Sequence, residues 1–179
     1  MSINHPVTRP DQMRKPLVWN PISDEWRNGL VESKTWWCKE VIPQPSSDRE
    51  KRAMDSALRL RDKLLSFGGD EACMVLYDQD EPNIMERGQL FVGTGIKYRK
   101  GLPSQCHYNS SLLWEANKGR CQIATGYALS EDGMWRQHTW VVQPMTVKYR
   151  IWETTVGRIA YFGFILTDEE CEEFFRENT

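Results

Sequence analysis

Between Cys121 and Thr154, three runs of β-branched and aromatic residues follow one another with only short polar connections: Cys121 to Leu129, Trp135 to Gln143 and Val147 to Thr154. Runs of this composition are strand formers. The first two are joined by the turn Ser130-Glu131-Asp132-Gly133, and connections this short bring consecutive strands together antiparallel. The second half of the chain is therefore expected to build an antiparallel sheet on which the remaining elements pack.

Those elements are readable from their boundaries. Ser47 followed by Glu50 is a capping-box signature, and Met54, Ala57, Leu58, Leu64 and Leu65 recur at helical spacing, so a helix is expected from about 48 to 66. Gly68 and Gly69 end it. Cys73 to Tyr77 and Gln89 to Tyr98 read as strands separated by a polar turn, DQDEPNIMERG. Ser104, reached through Pro103, is the expected cap of a second helix running to about Asn117. A strand over Ile159 to Ile165 then leads to a last helix, capped by Thr167 with Glu170 three residues on. Residues 1–46 are rich in proline yet hold Trp19, Trp26, Trp36 and Trp37. They are expected to wrap across the core irregularly, with a strand near Leu30 to Val41. With 179 residues and 40% hydrophobic content, one domain is expected.

The 23 Lys and Arg nearly balance the 25 Asp and Glu, a net charge of -2 without a long run of either sign. Nucleic acid and anionic membranes are not expected as main partners. The first residues lack the apolar centre of a secretory signal, and no stretch reaches the roughly 20 apolar residues of a membrane helix; the expectation is a soluble, cytoplasmic protein. The five cysteines (38, 73, 106, 121, 171) include no C-x-x-C pair, so neither a zinc site nor a redox dithiol is indicated.

Cys106 stands apart from the other four because it falls in the first turn of the expected second helix. A thiol attacks an amide carbon well only as the thiolate. A helix start supplies unpaired amides and a dipole that favour negative charge. Side chains two apart share a strand face, which groups His138 with Trp140 and Val142, and Glu153 with Ile151 and Tyr149. If the two strands pair, His138 and Glu153 lie side by side, with the cysteine helix packed against their face. That is the nucleophile, base and orienter arrangement of a catalytic triad.

The runs Thr125-Gly126-Tyr127, His138-Thr139-Trp140-Val141-Val142 and Trp152-Glu153-Thr154-Thr155, following a cysteine helix, resemble the transglutaminase-like core of the papain-like thiol enzymes. The order agrees, as do the gaps of 32 residues from Cys106 to His138 and 15 from there to Glu153. The resemblance covers roughly residues 100 to 165. It departs at two places: the family has Gly-x-Cys where this chain has Ser104-Gln105-Cys106, and an aspartate where it has Glu153. What it implies is an α+β fold with a papain-like or transglutaminase-like core, in which the cysteine-bearing helix packs on an antiparallel sheet. Cys106 would be the acyl acceptor, His138 general base and then acid, and Glu153 its anchor. The Cys106 amide would hold the oxyanion, with Gln105 as candidate second donor, and Trp140 and Tyr127 as candidate substrate contacts. The reaction implied is acyl transfer from a protein, peptide or small amide through a thioester, with no cofactor or metal. A binding module that has lost the chemistry, and an acetyltransferase fed by acyl-coenzyme A, are the alternatives.

The remaining chemistry-bearing residues have plainer readings. His107 lies on a different helical face from Cys106, and His5 sits in the arm. Asp78, Asp80 and Glu81 read as a solvated turn rather than a calcium loop. Gly93-Thr94-Gly95 reads as a bend or bulge in a strand, and Trp135 as a core residue more than a groove residue.

Overall fold

A computed structural model describes residues 45, 47–75, 77–92, 95–146 and 148–179. The expected strand near Leu30 to Val41, the four tryptophans of the arm, His5 and Cys38 lie outside these residues, as do Gly93 and Thr94. Among the described residues there are four helices and seven strands, and the fold is α+β.

Helix α1 spans Asp48–Leu65 and begins as its sequence predicts, with the Ser47 hydroxyl accepting from the Glu50 amide. Its buried stripe is Ala57, Leu60 and Leu64, three positions on one face; Leu58, expected in that stripe, is half-buried while Leu60 is fully enclosed. Full burial of a leucine stabilises by about 2 kcal/mol. A short strand β1 (Glu71–Cys73) follows. The segment expected to be one polar turn instead contains a helix, α2 (Glu81–Arg87), with Pro82 in its first turn and Ile84 fully buried. A single buried isoleucine is too little periodicity to reveal a helix of two turns. Arg87 then ties α2 to the end of the chain, donating to both carboxylate oxygens of Glu170 (2.6 and 2.9 Å) and to the Ile165 carbonyl.

The expected strand Gln89 to Tyr98 is two strands with different partners, β2 (Gln89–Phe91) and β3 (Ile96–Tyr98). After helix α3 (Cys106–Glu115) come β4 (Gln122–Leu129), β5 (Met134–Pro144), β6 (Tyr149–Glu153), β7 (Ala160–Ile165) and helix α4 (Asp168–Asn178), which carries the full Thr167/Glu170 capping box. The sheet order is β2-β7-β4-β5-β6-β3, with β1 also pairing β5. The strands carrying His138 and Glu153 pair antiparallel as expected, while β1 with β5 and β3 with β6 are parallel, which the sequence reading does not include. The β4–β5 hairpin turns where expected: Gly133 takes φ +80°, and the Ser130 amide donates to the Met134 carbonyl.

Strand alternation divides the sheet's side chains between two cores. One face packs Ile123, Tyr127, Leu129, Trp135, Val141 and Phe162 against the helices, with Trp114 of α3 and Cys171 of α4 in the same cluster. The opposite face gathers Phe91, Ala124, Trp140, Val142, Ile151 and Tyr161. This second core is small, and it is the one that backs the site.

Candidate active site

Strand β5 is flanked by β4 along most of its length, but its other edge is shared. β1 covers residues 134–136 and β6 covers 141–144. Among the described residues no strand covers 137–140 on that side, and α3 docks there by its N-terminus. Ser110 donates to the Thr139 carbonyl, and the Thr139 amide donates to the Cys106 sulfur. The expectation that α3 packs on the face of His138 is therefore wrong in one respect. The body of α3 buries Trp114 in the opposite core, and only Cys106 reaches through the opening in the sheet edge to His138.

His138 and Glu153 share a face as the alternation predicts. Register puts Val141 opposite Trp152, so Glu153 lies just past the last pair and diagonal to His138, within side-chain reach. His138 Nε2 and Glu153 Oε2 are 2.9 Å apart, with His138 at 2% and Glu153 at 0% exposure. The nitrogen left for Cys106 is Nδ1. Burial pushes the imidazole toward neutrality, but the neighbouring thiol and carboxylate outweigh it and raise its pKa above the ordinary value. Burial likewise opposes ionisation of Cys106, yet the hydrogen bond and charge of His138, with the Thr139 and His107 amides, bring the thiol below its usual range. Both shifts favour thiolate with imidazolium.

Glu153 is the most heavily satisfied group in the site. Its Oε1 accepts from the Thr155 amide (2.8 Å) and hydroxyl (2.9 Å), and its Oε2 accepts from the Tyr161 hydroxyl (2.9 Å) as well as facing His138. Burial alone would raise its pKa; His138 and the two Thr155 donors hold it at about 2. Cys121 and Cys171 are the opposite case, buried thiols pushed up to about 11.

The approach to Cys106 runs through an exposed segment, 99–105. It is laced to the end of β6 by the Arg99 amide on the Glu153 carbonyl and the Gly101 amide on the Thr154 carbonyl, both 2.8 Å. Asn109 of α3 clamps Leu102 through its amide (2.9 Å) and carbonyl (2.7 Å). A Cβ at Gly101 would lie 2.4 Å from the Asn109 side chain, so only glycine admits that clamp. Ser104 is not the helix cap. It sits at φ +58°, and Gln105 stands at the cap position without a side-chain capping bond. The left-handed conformation of Ser104 is the one that favours glycine, the residue that the resembled family has in this place.

The remaining candidates have other surroundings. Trp140 is fully buried between Phe91 (5.7 Å), Tyr161 (5.0 Å) and the stacked His138 ring (6.3 Å), so it backs the histidine and presents no surface to a substrate. Tyr127 is fully buried on the helix-facing side, where it donates to Asp78. Neither reaches solvent. Gln105 is exposed beside Cys106 at the start of α3. His107 turns toward α4 and meets the Phe174 ring edge-on at 5.6 Å. Trp135 is core, its indole donating to the Gly68 carbonyl.

The acidic stretch is not a solvated turn. Asp78 accepts from Tyr127 and Gln137, and Asp80 from Thr125, and burial raises both carboxyls above their ordinary range. Among the described residues no group of three or more His, Cys, Asp or Glu is placed to hold a metal ion, and no helix is long and apolar enough to cross a membrane.

Sequence reasoning missed Tyr161, Thr155 and the Thr139 amide. Thr155 was within reach, since an acid two residues before a threonine is a common local acceptor. Tyr161 was not, because β4 and β5 lie between β7 and β6 in the sheet and only the packing of their shared face brings its hydroxyl to the Glu153 carboxylate. Comparison with known proteins finds no matching family model, no matching curated protein and no matching solved structure.

Proposed function

We propose that this chain is a thiol enzyme with a papain-like or transglutaminase-like core, acting in the cytoplasm, which transfers the acyl group of an amide through a thioester on Cys106. The observation that supports this reading best is the continuous chain from the Cys106 sulfur through His138 to Glu153, with the sulfur at a helix start. The Cys106 thiolate attacks the amide carbon, and the oxyanion forms beside the Cys106 amide, which as the first helical residue has no intrahelical acceptor. Imidazolium gives its proton to the departing amine as the C–N bond breaks. Water or an amine then attacks the thioester, His138 takes its proton, and the thiolate leaves. Glu153 stays ionised throughout and stabilises the imidazolium, as the acid of a triad does.

The test is the alkylation rate of each cysteine by limiting iodoacetamide from about pH 5 to about pH 9, read by peptide mass spectrometry on the native protein and on His138→Ala. Cys106 is expected to react fastest, to stay reactive well below its ordinary pKa, and to lose that advantage in the variant. A Cys106 that reacts no faster than Cys121 and Cys171 would overturn the reading.

A further inference from the structure

The charge of the chain nearly cancels overall but not locally. From Gly88 to Trp114 there is no Asp or Glu, and from Gly133 to Trp152 there is none either. These are the segments that build the sheet edge beside the site, and they carry Lys97, Arg99, Lys100, Lys148 and Arg150. The register of β3 on β6 sets Lys97 opposite Trp152, which places Lys97, Arg99 and Arg150 on one face. The Lys97 ammonium lies 4.9 Å and the Arg99 guanidinium 5.6 Å from the centre of the Trp152 ring. Four cations elsewhere are paired with carboxylates: Arg61 with Glu71, Arg87 with Glu170, Lys118 with Glu172 and Arg136 with Asp132. Among the described residues none of the five edge cations has a carboxylate partner.

This ridge is tied to the nucleophile. Arg99 bonds through its amide to the Glu153 carbonyl, and the exposed chain from Arg99 leads directly into Cys106. Two apolar side chains interrupt the cations, Tyr98 (57% exposed) and Leu102 (50% exposed). β3 is the last strand of the sheet order, with no described strand beyond it. We propose that the β3–β6 edge is a docking ridge for an acidic peptide segment, which brings the reacting amide to Cys106. An extended peptide matches each feature: carboxylates for the cations, apolar side chains for Tyr98 and Leu102, and main-chain groups for the β3 edge that no described strand covers. A nucleic acid would use the cations alone. The proposal rests on the thiol-enzyme reading for its purpose, though not for its binding measurement.

Iodoacetate and iodoacetamide attack the same sulfur and differ by one negative charge, so the ratio of their rates at Cys106 reads the local potential. That ratio is expected to be about tenfold above its value for free cysteine and to fall with added salt. In the variant carrying Lys97→Gln, Arg99→Gln and Arg150→Gln it is expected to fall severalfold, to the level the His138 imidazolium alone sustains, with the fold verified by circular dichroism. Arg120→Glu, in the turn between α3 and β4, should leave the ratio as it is. A fluorescein-labelled peptide of alternating glutamate and glutamine should bind the native protein by anisotropy, bind less tightly as salt rises, and fail to bind the triple variant. A ratio unmoved in the triple variant, or an oligouridylate that binds more tightly than the peptide, overturns the proposal. Loss of the thiol-enzyme reading would look different: Cys106 would be slow toward iodoacetamide itself, whatever the anisotropy reads.

Discussion

Tyr161 supplies the hydrogen bond to Glu153 that comes from outside both the triad and the end of β6. Its hydroxyl donates to the same Glu153 oxygen that faces His138, and its ring packs at 6.2 Å from the imidazole. Tyr161→Phe keeps the ring and removes the donor. Loss of a hydrogen bond to a buried charge is worth about 1.5–3 kcal/mol, so Glu153 should hold His138 less firmly. The inflection of Cys106 alkylation is expected to move up by about 1 pH unit, with the far-ultraviolet spectrum unchanged; an unmoved inflection would make Tyr161 a packing residue only. Ser104 offers a second test. In its left-handed conformation a β-branched side chain is strained by roughly 1–2 kcal/mol, so Ser104→Val should lower the urea midpoint. Ser104→Gly should raise it slightly, because relief of strain exceeds the added freedom of the unfolded chain. The identity of Cys106, His138 and Glu153 as candidates was legible from residue type, order and alternation. Serine suits a helix cap, so residue type points Ser104 to that role, and nothing in the residue itself reveals its φ.

At the scale of elements, the decisive feature is the opening in the sheet between β1 and β6 that admits the start of α3. Asn109 holds the segment before α3 through both polar groups of Leu102. Asn109→Ala removes two hydrogen bonds and is expected to cost about 2 kcal/mol and to slow Cys106 alkylation, read by urea denaturation and by mass spectrometry. Gly101→Ala, which forces the Asn109 side chain aside, should give the same slowing; a fast Cys106 in either variant would show that the clamp does not position the sulfur. The long strands and the capped helices were legible because each repeats its pattern over several residues. α2 and the division of Gln89 to Tyr98 were not, since elements of seven and three residues have too little periodicity. Their state is set by Ile84 finding the core and by β2 and β3 finding opposite edges of the sheet.

For the molecule as a whole, the buried ionised pair makes stability depend on pH from both sides. Glu153 has a folded pKa of about 2 against an ordinary 4.5. Its contribution is therefore complete above about pH 4.5 and is lost as pH falls through that window toward 2, where the unfolded chain binds the proton first. His138 is shifted upward from 6.5, so its contribution is complete below that value and is lost as pH rises through the folded pKa. The melting temperature of the native protein should fall steeply between about pH 4.5 and about pH 2, and Glu153→Gln should flatten that slope. An equal slope in the variant would mean that other carboxylates govern acid unfolding. The sequence by itself determined the strand-rich second half, the helix starts at Ser47 and Thr167 and the three residues of the candidate triad, because composition, capping and alternation act over a few neighbouring residues. Strand order, the parallel edges, the burial of Trp140 and Tyr127 and the fourth group on Glu153 were decided only in the tertiary structure. These depend on which distant segments share an edge or a face, and local propensity holds no record of that choice.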